Sequence, residues 1–356
     1  MHLVLDAVAV REGSSAVVVG GLLHGWAQLT DGDRVTVLAG PEGPAFDVPD
    51  GMAVERLSPP VGGPAGAAWL RSVGVRRAAR RLGADVLLAG VPASSLAGGA
   101  PQRGVILYDL RHELRPHQFS GRTRAARAVS WGWSLRRADR ILTISERTLD
   151  DLRRLHPRIA RRGVAAQLGS DHAEEWGRPE TQEHRYALAF GHFANKNADA
   201  VIEGWARFTA STPTDLVLRL VGMGSSDRAA AQARVEALGI ADRVELMPWL
   251  DDESFAACFA GASLVLFPSD FEGFGLPAAE AVRLGIPTVV SGDPALAEVT
   301  GGHAVVAAST SPDDLAAATR EALARTPEQL EAGRRFAEAF TWRRTAATVR
   351  SGFVRS

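Results

Sequence analysis

The sequence predicts an α/β protein of two doubly wound, Rossmann-like domains with room for a cleft between them. Its 356 residues exceed a single core of usual size and suit two domains of about 150 to 200 residues. Short apolar runs, typical of buried parallel strands, alternate with helical patterns through almost the whole chain. Near residues 166–184 this periodicity gives way to polar and turn-forming residues, which predicts a linker there.

The apolar runs divide into two sets, one on each side of the linker. Strands of the first set are predicted at residues 3–8, 34–38, 86–89, 105–107 and 141–144. Strands of the second set are predicted at residues 186–190, 216–221, 244–247, 264–267, 288–290 and 304–306. The two domains are therefore expected to span residues 1–168 and 169–339.

The overall composition is that of an ordinary soluble globular protein. Apolar residues make up 46% and charged residues 23%, and the pI of about 6.8 argues against a nucleic-acid partner. The one cysteine, Cys258, excludes a disulfide framework and a cysteine-based zinc site. No apolar run reaches the roughly 20 residues of a membrane span, and the basic start of a signal peptide is lacking. We therefore expect a cytoplasmic protein.

The basic residues are nearly all arginine, and the chain contains one lysine, Lys196. An Ala-, Arg- and Gly-rich composition indicates a GC-rich coding bias, under which solvated basic positions drift to arginine. A lysine that is retained under this bias is expected to serve as a compact point charge.

Arginines far outnumber acids in residues 71–81 and 111–140, and the second stretch also contains Trp131 and Trp133. Two interpretations stay open. In the first, these residues form solvated amphipathic helices whose arginine stems cover apolar surface. In the second, they form a basic aromatic face that rests on anionic lipid or receives a phosphate-bearing acceptor. The second interpretation would place the protein peripherally on the inner face of the membrane.

The segment after the predicted strand 264–267 has the features of an anion site, because a helix is predicted to begin beside Gly275. Free N–H groups around Gly275 and Leu276 would face a pyrophosphate at the positive end of the helix dipole. Glu280, one turn inside the helix, is placed to accept ribose hydroxyls, as the acidic residue does in dinucleotide folds. Glu272 lies on the loop, free to touch a group beyond the phosphates.

The sequence EGFGLPAAEAVRLGIPTVVS, which begins at Glu272, resembles the signature of glycosyltransferase family 4. That family is retaining and has the GT-B fold of two facing Rossmann-like domains. In the family the first glutamate contacts the donor sugar, and the second, here Glu280, holds the ribose. The resemblance also implies that the backbone of Phe274, Gly275 and Leu276 binds the diphosphate.

A second stretch, residues 189–197, is similar to the family's segment in which an arginine and a lysine neutralise the donor diphosphate. Lys196 fits the lysine. His192 stands where the family often has the arginine, but the spacing is shorter. A phosphate donor and a neutral turn histidine are therefore both open for His192.

Weaker similarities extend the implied donor site to Gly222, after strand 216–221, and to residues 247–250 beside the nucleobase. A glycine-rich loop at a strand end occurs in any Rossmann-like domain, so these contacts are less specific. Gly13 resembles part of the family's glycine-rich loop that faces the diphosphate. Ser14 and Ser15 replace the second glycine and could instead cap the following helix.

Residues 107–116 resemble the stretch in which many relatives carry His-Asp-Leu. Tyr108 replaces the histidine, so the resemblance places Asp109, and next His112, beside the donor sugar and the incoming hydroxyl. The alternative for Asp109 is a buried aspartate that makes turn hydrogen bonds. At the end of the chain, the sequence FTW at 340–342 resembles the family's crossing point, which implies that a final helix, about 340–356, packs back on the first domain.

Together these residues predict a retaining hexosyltransferase of glycan, glycolipid or glycosylated-metabolite biosynthesis. It would move a mannose-like or related sugar from a nucleotide diphosphate sugar to the hydroxyl of a saccharide, a lipid-linked acceptor or a small molecule, without a metal or other cofactor. A nucleotide-sugar epimerase and a non-catalytic GT-B partner protein are the alternatives. The predicted catalytic residues are Glu272, Lys196, Asp109 and His112, and the predicted donor-binding residues are Gly13, His192, Gly222, Phe274, Gly275, Leu276 and Glu280.

Overall fold

The computed structural model describes residues 1–93, 98–177, 185–192 and 194–354, which form two compact units. The N-terminal unit consists of Met1–Gly169 and Phe340–Ser356, and the C-terminal unit of Ser170–Ala339. Residues 178–184 of the predicted linker lie outside the described residues.

Strands and helices alternate along both units. The strands are β1 His2–Asp6, β2 Arg34–Ala39, β3 Ala53–Arg56, β4 Val86–Ala89, β5 Gln102–Leu107, β6 Arg140–Thr143, β7 Gly163–Ala165, β8 Tyr186–Phe190, β9 Val217–Val221, β10 Val244–Leu246, β11 Leu264–Phe267, β12 Thr288–Val290 and β13 Val305–Val306. The α-helices are α1 Ser14–Ala27, α2 Gly63–Trp69, α3 Val75–Arg81, α4 Arg111–Leu114, α5 Gly121–Arg137, α6 Glu146–Leu155, α7 Pro157–Ala160, α8 Ala198–Ser211, α9 Ser225–Ala237, α10 Asp252–Ala260, α11 Leu276–Leu284, α12 Pro294–Thr300, α13 Pro312–Leu323, α14 Pro327–Ala337 and α15 Trp342–Ser351.

The described strands of the N-terminal unit form a parallel sheet in the order β3-β2-β1-β4-β5-β6-β7. All five residues of β1 are buried, because a central parallel strand is covered on both faces. The sequence does not predict β3 or β7. Both are edge strands, and β3 is largely exposed while β7 is half-buried, so neither contains the apolar run that marks a central strand.

The described strands of the C-terminal unit form a second parallel sheet in the order β10-β9-β8-β11-β12-β13. The strand order reverses between β8 and β11. In open α/β sheets, ligands bind outside the carboxyl ends of the strands at such a switch point. The two sheets with their helices confirm the predicted α/β class.

The last helix, α15, packs against α1 within the N-terminal unit. Gly21 and Gly25 of α1 make this contact possible, because a Cβ atom on either would collide with Trp342. Trp342 is buried, and Arg350 Nε donates a hydrogen bond to Asp33 Oδ2 over 2.7 Å. Buried apolar surface and a charged hydrogen bond therefore both hold the C-terminal helix in place.

Candidate functional site

The strongest site candidate lies at the switch point of the C-terminal unit. Lys196 ends a short 3₁₀ helix that follows β8, and Glu272 lies on the loop that follows β11. These two residues are 76 positions apart in sequence, and the neighbouring carboxyl ends of β8 and β11 bring them together. The fold therefore unites the residues that the two predicted donor segments contribute.

Lys196 and Glu272 form a nearly buried ion pair. Lys196 Nζ lies 2.6 Å from Glu272 Oε1, and the side chains are 8% and 14% exposed. The ammonium also lies 4.1 Å from the ring centroid of Phe267, a cation–π contact. Removing one partner of such a pair leaves the other charge uncompensated. An incoming anion that bound Lys196 would compensate the ammonium in place of Glu272, and it would thereby release the Glu272 carboxylate.

Asn195 holds the loop that carries Glu272, a role that the sequence does not predict. Its side-chain amide donates to Ser269 Oγ at 2.9 Å, to the Phe271 carbonyl oxygen at 3.1 Å and to Glu272 Oε1 at 3.3 Å. Asn195 is buried, and its backbone carbonyl accepts from the N–H of Asp270 at 3.0 Å. The amide thus fixes both the loop backbone and the carboxylate.

Asn197, on the other side of Lys196, fixes the beginning of the same loop. Its φ of 55° is in the left-handed region, which asparagine tolerates better than most residues. Its amide donates to the Pro268 carbonyl oxygen at 2.8 Å and to Asp270 Oδ1 at 2.7 Å. The two asparagines in the sequence NKN are the signal that could have suggested a polar anchor around the lysine.

Replacing Asn195 with alanine is expected to lower the free energy of unfolding by about 1 to 3 kcal/mol, because two buried acceptors, Ser269 Oγ and the Phe271 carbonyl oxygen, lose the Asn195 amide as a donor. We expect kcat/KM to fall as well, since Glu272 loses the contact that orients it. Urea unfolding of the variant, beside the exposed control Gln232→Ala, measures the first effect. Unfolding curves that coincide for wild type and Asn195→Ala would contradict the anchoring role.

The start of α11 provides backbone donors at this site. Gly275 is the N-cap, with a φ of 99° and no side-chain cap hydrogen bond. A Cβ atom there would lie 2.6 Å from Leu296 Cδ2, so glycine is required for both space and backbone conformation. Leu276 and Pro277 begin the helix, and Phe274 packs in the core just before it. Gly275 has no side chain with which to cap this positively polarised helix end, which suits an anion site.

Glu280 lies buried on α11, where His172 contacts it. His172 Nε2 lies 3.1 Å from Glu280 Oε1, and the His172 ring packs edge-on against Trp176 at 5.4 Å. The sequence does not predict this histidine, because it belongs to the linker region, 108 positions before Glu280. A ribose that binds Glu280 would therefore share this carboxylate with His172.

Arg283 fastens α11 to the segment that contains His172. Its guanidinium donates to Ser170 Oγ at 2.9 Å, to Glu174 Oε1 at 2.6 Å and to the Ala337 carbonyl oxygen. Arg283 is 6% exposed, so these contacts satisfy a buried charge. They keep His172 within reach of Glu280.

His192 lies beside Gly222 at the ends of β8 and β9. A Cβ atom on Gly222, whose φ is 80°, would lie 3.0 Å from His192 Nδ1. Burial, and next the charge of Lys196, lower the pKa of His192 to about 4. The imidazole is therefore neutral at pH 7, unlike the arginine whose place it takes. A hydrogen bond to a phosphate remains a prediction for it.

Acidification is expected to destabilise the protein through His192. Its pKa of about 4 in the folded state lies below the ordinary 6.5, so between these pH values the unfolded chain binds a proton that the folded protein does not. The contribution of His192 to the free energy of unfolding is present in full above about pH 6.5 and is lost as the pH falls toward about 4. The loss is at most about 3 kcal/mol. Urea unfolding at pH 7 and pH 5 should show a smaller pH dependence for His192→Gln than for wild type. An equal dependence would contradict this assignment.

The predicted residues of the N-terminal unit lie near the carboxyl ends of its strands. Gly13, with a φ of 89°, is itself the N-cap of α1, so neither Ser14 nor Ser15 caps that helix. Asp109 Oδ1 accepts a hydrogen bond from the N–H of Arg111 at 2.8 Å, which is the turn contact of the structural alternative.

His112 is only 3% exposed, a location that the sequence does not predict for a residue beside the incoming hydroxyl. Its ring packs edge-on against Trp131 at 4.8 Å, and burial lowers its pKa. The ring of Trp131 therefore helps to keep this imidazole from solvent. The catalytic roles of Asp109 and His112 stay predictions.

Two features are absent from the described part of the chain. No group of three or more His, Cys, Asp or Glu residues there is arranged to hold a metal ion. No helix among these residues combines the length and apolar character that crossing a membrane requires.

Two family models match the chain, and together they take in most of it. Residues 15–167 match the model described as Glycosyltransferase Family 4, and residues 184–325 match the one described as Glycosyl transferases group 1. The chain belongs to glycosyltransferase family 4. This membership confirms the resemblance that the Glu272 segment indicates, and with it the predicted glycosyltransferase class.

Curated members of the family match part of the chain. A D-inositol 3-phosphate glycosyltransferase from Geodermatophilus obscurus is 35% identical over 45% of this chain and 37% of its own length. An MMP alpha-(1->4)-mannosyltransferase from Mycolicibacterium hassiacum is 34% identical over 45% of this chain and 40% of its own length. A GDP-mannose-dependent phosphatidylinositol dimannoside mannosyltransferase from Mycobacterium tuberculosis is 32% identical over 43% and 39%. The chain thus spans about two fifths of the length of the curated relatives it matches.

Solved structures match the whole fold. HepE from Anabaena, in complex with UDP and glucose, superposes with a TM-score of 0.75 at 16% identity and covers 99% of this chain and 98% of its own. WaaG, a glycosyltransferase of lipopolysaccharide biosynthesis, superposes with a TM-score of 0.70 at 15% identity and the same coverage. At these identities the likeness concerns the fold, and it confirms the predicted GT-B architecture.

Proposed function

We propose that this chain is a retaining hexosyltransferase that moves a mannose-like hexose from a nucleotide diphosphate sugar to a hydroxyl acceptor. The observation that carries the proposal is the Lys196–Glu272 ion pair at the switch point, beside the start of α11. A diphosphate bound there would replace Glu272 as the partner of Lys196, and it would accept hydrogen bonds from N–H groups in the first turn of α11. Glu272 would then be free to bind hydroxyls of the donor sugar.

The proposed reaction needs stabilisation of the departing phosphate and of an oxocarbenium-like carbon. Lys196 and the positive end of α11 would supply the first, and Glu272 would orient the sugar ring. The acceptor oxygen forms its bond to the anomeric carbon on the face from which the phosphate leaves. The bond to the phosphate oxygen breaks, and the hydroxyl proton passes to that oxygen, so the configuration is retained without a protein nucleophile.

The names of the relatives support the sugar and the donor in this proposal. Two of the three curated relatives above are mannosyltransferases, one of them GDP-mannose-dependent, and HepE was crystallised with UDP and glucose. A hexose on a purine or pyrimidine nucleoside diphosphate is the shared chemistry. The proposed acceptor is the hydroxyl of a saccharide, a lipid-linked molecule or a small molecule.

Mass spectrometry after incubation with a panel of nucleotide sugars, GDP-mannose and UDP-glucose among them, tests the proposal. We expect one donor to release its nucleoside diphosphate and free hexose slowly, because water replaces the missing acceptor. Adding candidate acceptors should then give a product heavier by one hexose. An epimerised donor with no free sugar would indicate an epimerase, and the absence of turnover together with the absence of nucleotide binding would indicate a non-catalytic partner.

Removal of divalent metal ions is expected to leave the transfer rate unchanged within about twofold. The proposed charge compensation comes from Lys196 and the helix dipole of α11, and Asp251, the first of two adjacent aspartates, is occupied as the N-cap of α10. Initial rates with and without excess EDTA measure this. Full loss on chelation that magnesium or manganese restores would reject it.

A further inference from the structure

Helix α5 of the N-terminal unit has a strongly basic composition. Among its 17 residues it has no acid and five arginines, which are Arg122, Arg124, Arg127, Arg136 and Arg137. The buried residues of the helix are Ser134 and Leu135 alone, so it packs on the protein along one side and near one end. Most of its surface faces outward.

The outward face of α5 has an apolar strip with an arginine at each end. Val129 is 74% exposed and Trp133 is 46% exposed, although both are large and apolar. At 3.6 residues per turn, positions 125, 129 and 133 follow one another on the same face. Arg122 precedes this strip by one turn and Arg136 follows it by one turn, so Ala125, Val129 and Trp133 lie between two exposed cations.

Arginines stack on one aromatic ring of this face and on two rings beside it. The guanidinium carbon of Arg137 lies 4.4 Å from the ring centroid of Trp133, and that of Arg127 lies 5.0 Å from Trp131 and 4.8 Å from Phe119. A guanidinium stacked on a ring keeps N–H groups at its edge for a phosphate. The face therefore combines apolar side chains with phosphate donors.

We propose that this face of α5 docks on an anionic lipid bilayer. Val129 and Trp133 enter the boundary between headgroups and acyl chains, and the arginines bind lipid phosphates. A soluble phosphate ligand would use the arginines but would leave Val129 and Trp133 in water. A helix that faced only solvent would have no use for an exposed valine and tryptophan on this face. Because arginines and exposed apolar side chains share one face of α5, a membrane is the partner that fits best. This inference does not depend on which sugar the protein transfers.

Flotation of the full chain with vesicles tests the docking. We expect binding to vesicles that contain phosphatidylglycerol, weakening as salt rises, and little binding to pure phosphatidylcholine. Arg122→Gln combined with Arg136→Gln should lower the partition coefficient about 25-fold, about fivefold for each charge. Trp133→Ser should lower it by about fivefold or more with no change in charge.

A matched control changes the same number of charges elsewhere. Arg335 and Arg343 are exposed and lie outside α5, so Arg335→Gln combined with Arg343→Gln should keep the partition coefficient within about twofold. Thermal melting checks that every variant is folded. Equal binding to both kinds of vesicle, or an equal loss in the control, would overturn the proposal. The proposal would also be overturned if the protein bound inorganic phosphate at Arg122 and Arg136 but did not bind vesicles.

Discussion

Replacing Lys196 with alanine is expected to lower kcat/KM for sugar transfer by about 10- to 150-fold. The Lys196 side chain is 8% exposed, so a phosphate that replaces Glu272 as its partner gains a hydrogen bond in a partly dry site. Hydrogen bonds to charged groups are worth about 1.5 to 3 kcal/mol, and this one strengthens as negative charge builds on the leaving phosphate. Steady-state kinetics of wild type and variant, with the donor that the nucleotide-sugar panel identifies, measure the loss.

Three further variants separate charge from packing at this position. Lys196→Met keeps an unbranched stem beside Phe267 but removes the ammonium, so it should lose about as much activity as alanine. Lys196→Arg should recover only part, because the wide guanidinium fork cannot occupy the place of a compact ammonium. Arg335→Ala, an exposed control, should be silent. Wild-type activity in a well-folded Lys196→Ala protein would remove Lys196 from the site.

The central strands could be predicted from the sequence because burial on both faces leaves a local signal. The predicted strands at 86–89, 186–190, 264–267 and 288–290 have the bounds of β4, β8, β11 and β12. Edge strands have no such signal. The sequence Ala-Val-Glu-Arg of β3 pairs on one side with β2 and is mostly exposed, so only its backbone hydrogen bonds make it a strand.

The limits of the site prediction have the same physical origin. Lys196 and Glu272 could be found because each lies in a short motif at a strand end. The contacts that Asn195 and His172 make could not, because their partners lie from 74 to 108 positions away and only the folded sheet brings them near. His112 shows the reverse problem: its sequence neighbourhood is polar, but the ring of Trp131 covers it.

Replacing Glu272 with glutamine is expected to reduce transfer by at least about 100-fold while nucleoside diphosphate affinity stays within about 1 kcal/mol of wild type. The amide has the size of the carboxylate, so the loop around Ser269 and Phe271 should keep its hydrogen bonds to Asn195. The donor sugar loses a charged acceptor for its hydroxyls, whereas the phosphates lose nothing. Calorimetry with the diphosphate and steady-state kinetics with the donor separate these two effects.

The ion pair makes this test sharper, because the affinity can change in only one direction if the assignment is right. Glutamine cannot neutralise Lys196, so the ammonium is more available to the diphosphate and binding should be equal or tighter. Glu280→Gln is the matched control: the same chemical change on α11 removes the proposed ribose partner, so nucleotide affinity itself should fall by about 1 to 3 kcal/mol. Diphosphate binding that is lost in Glu272→Gln and retained in Glu280→Gln would reverse the two roles and refute the proposed site.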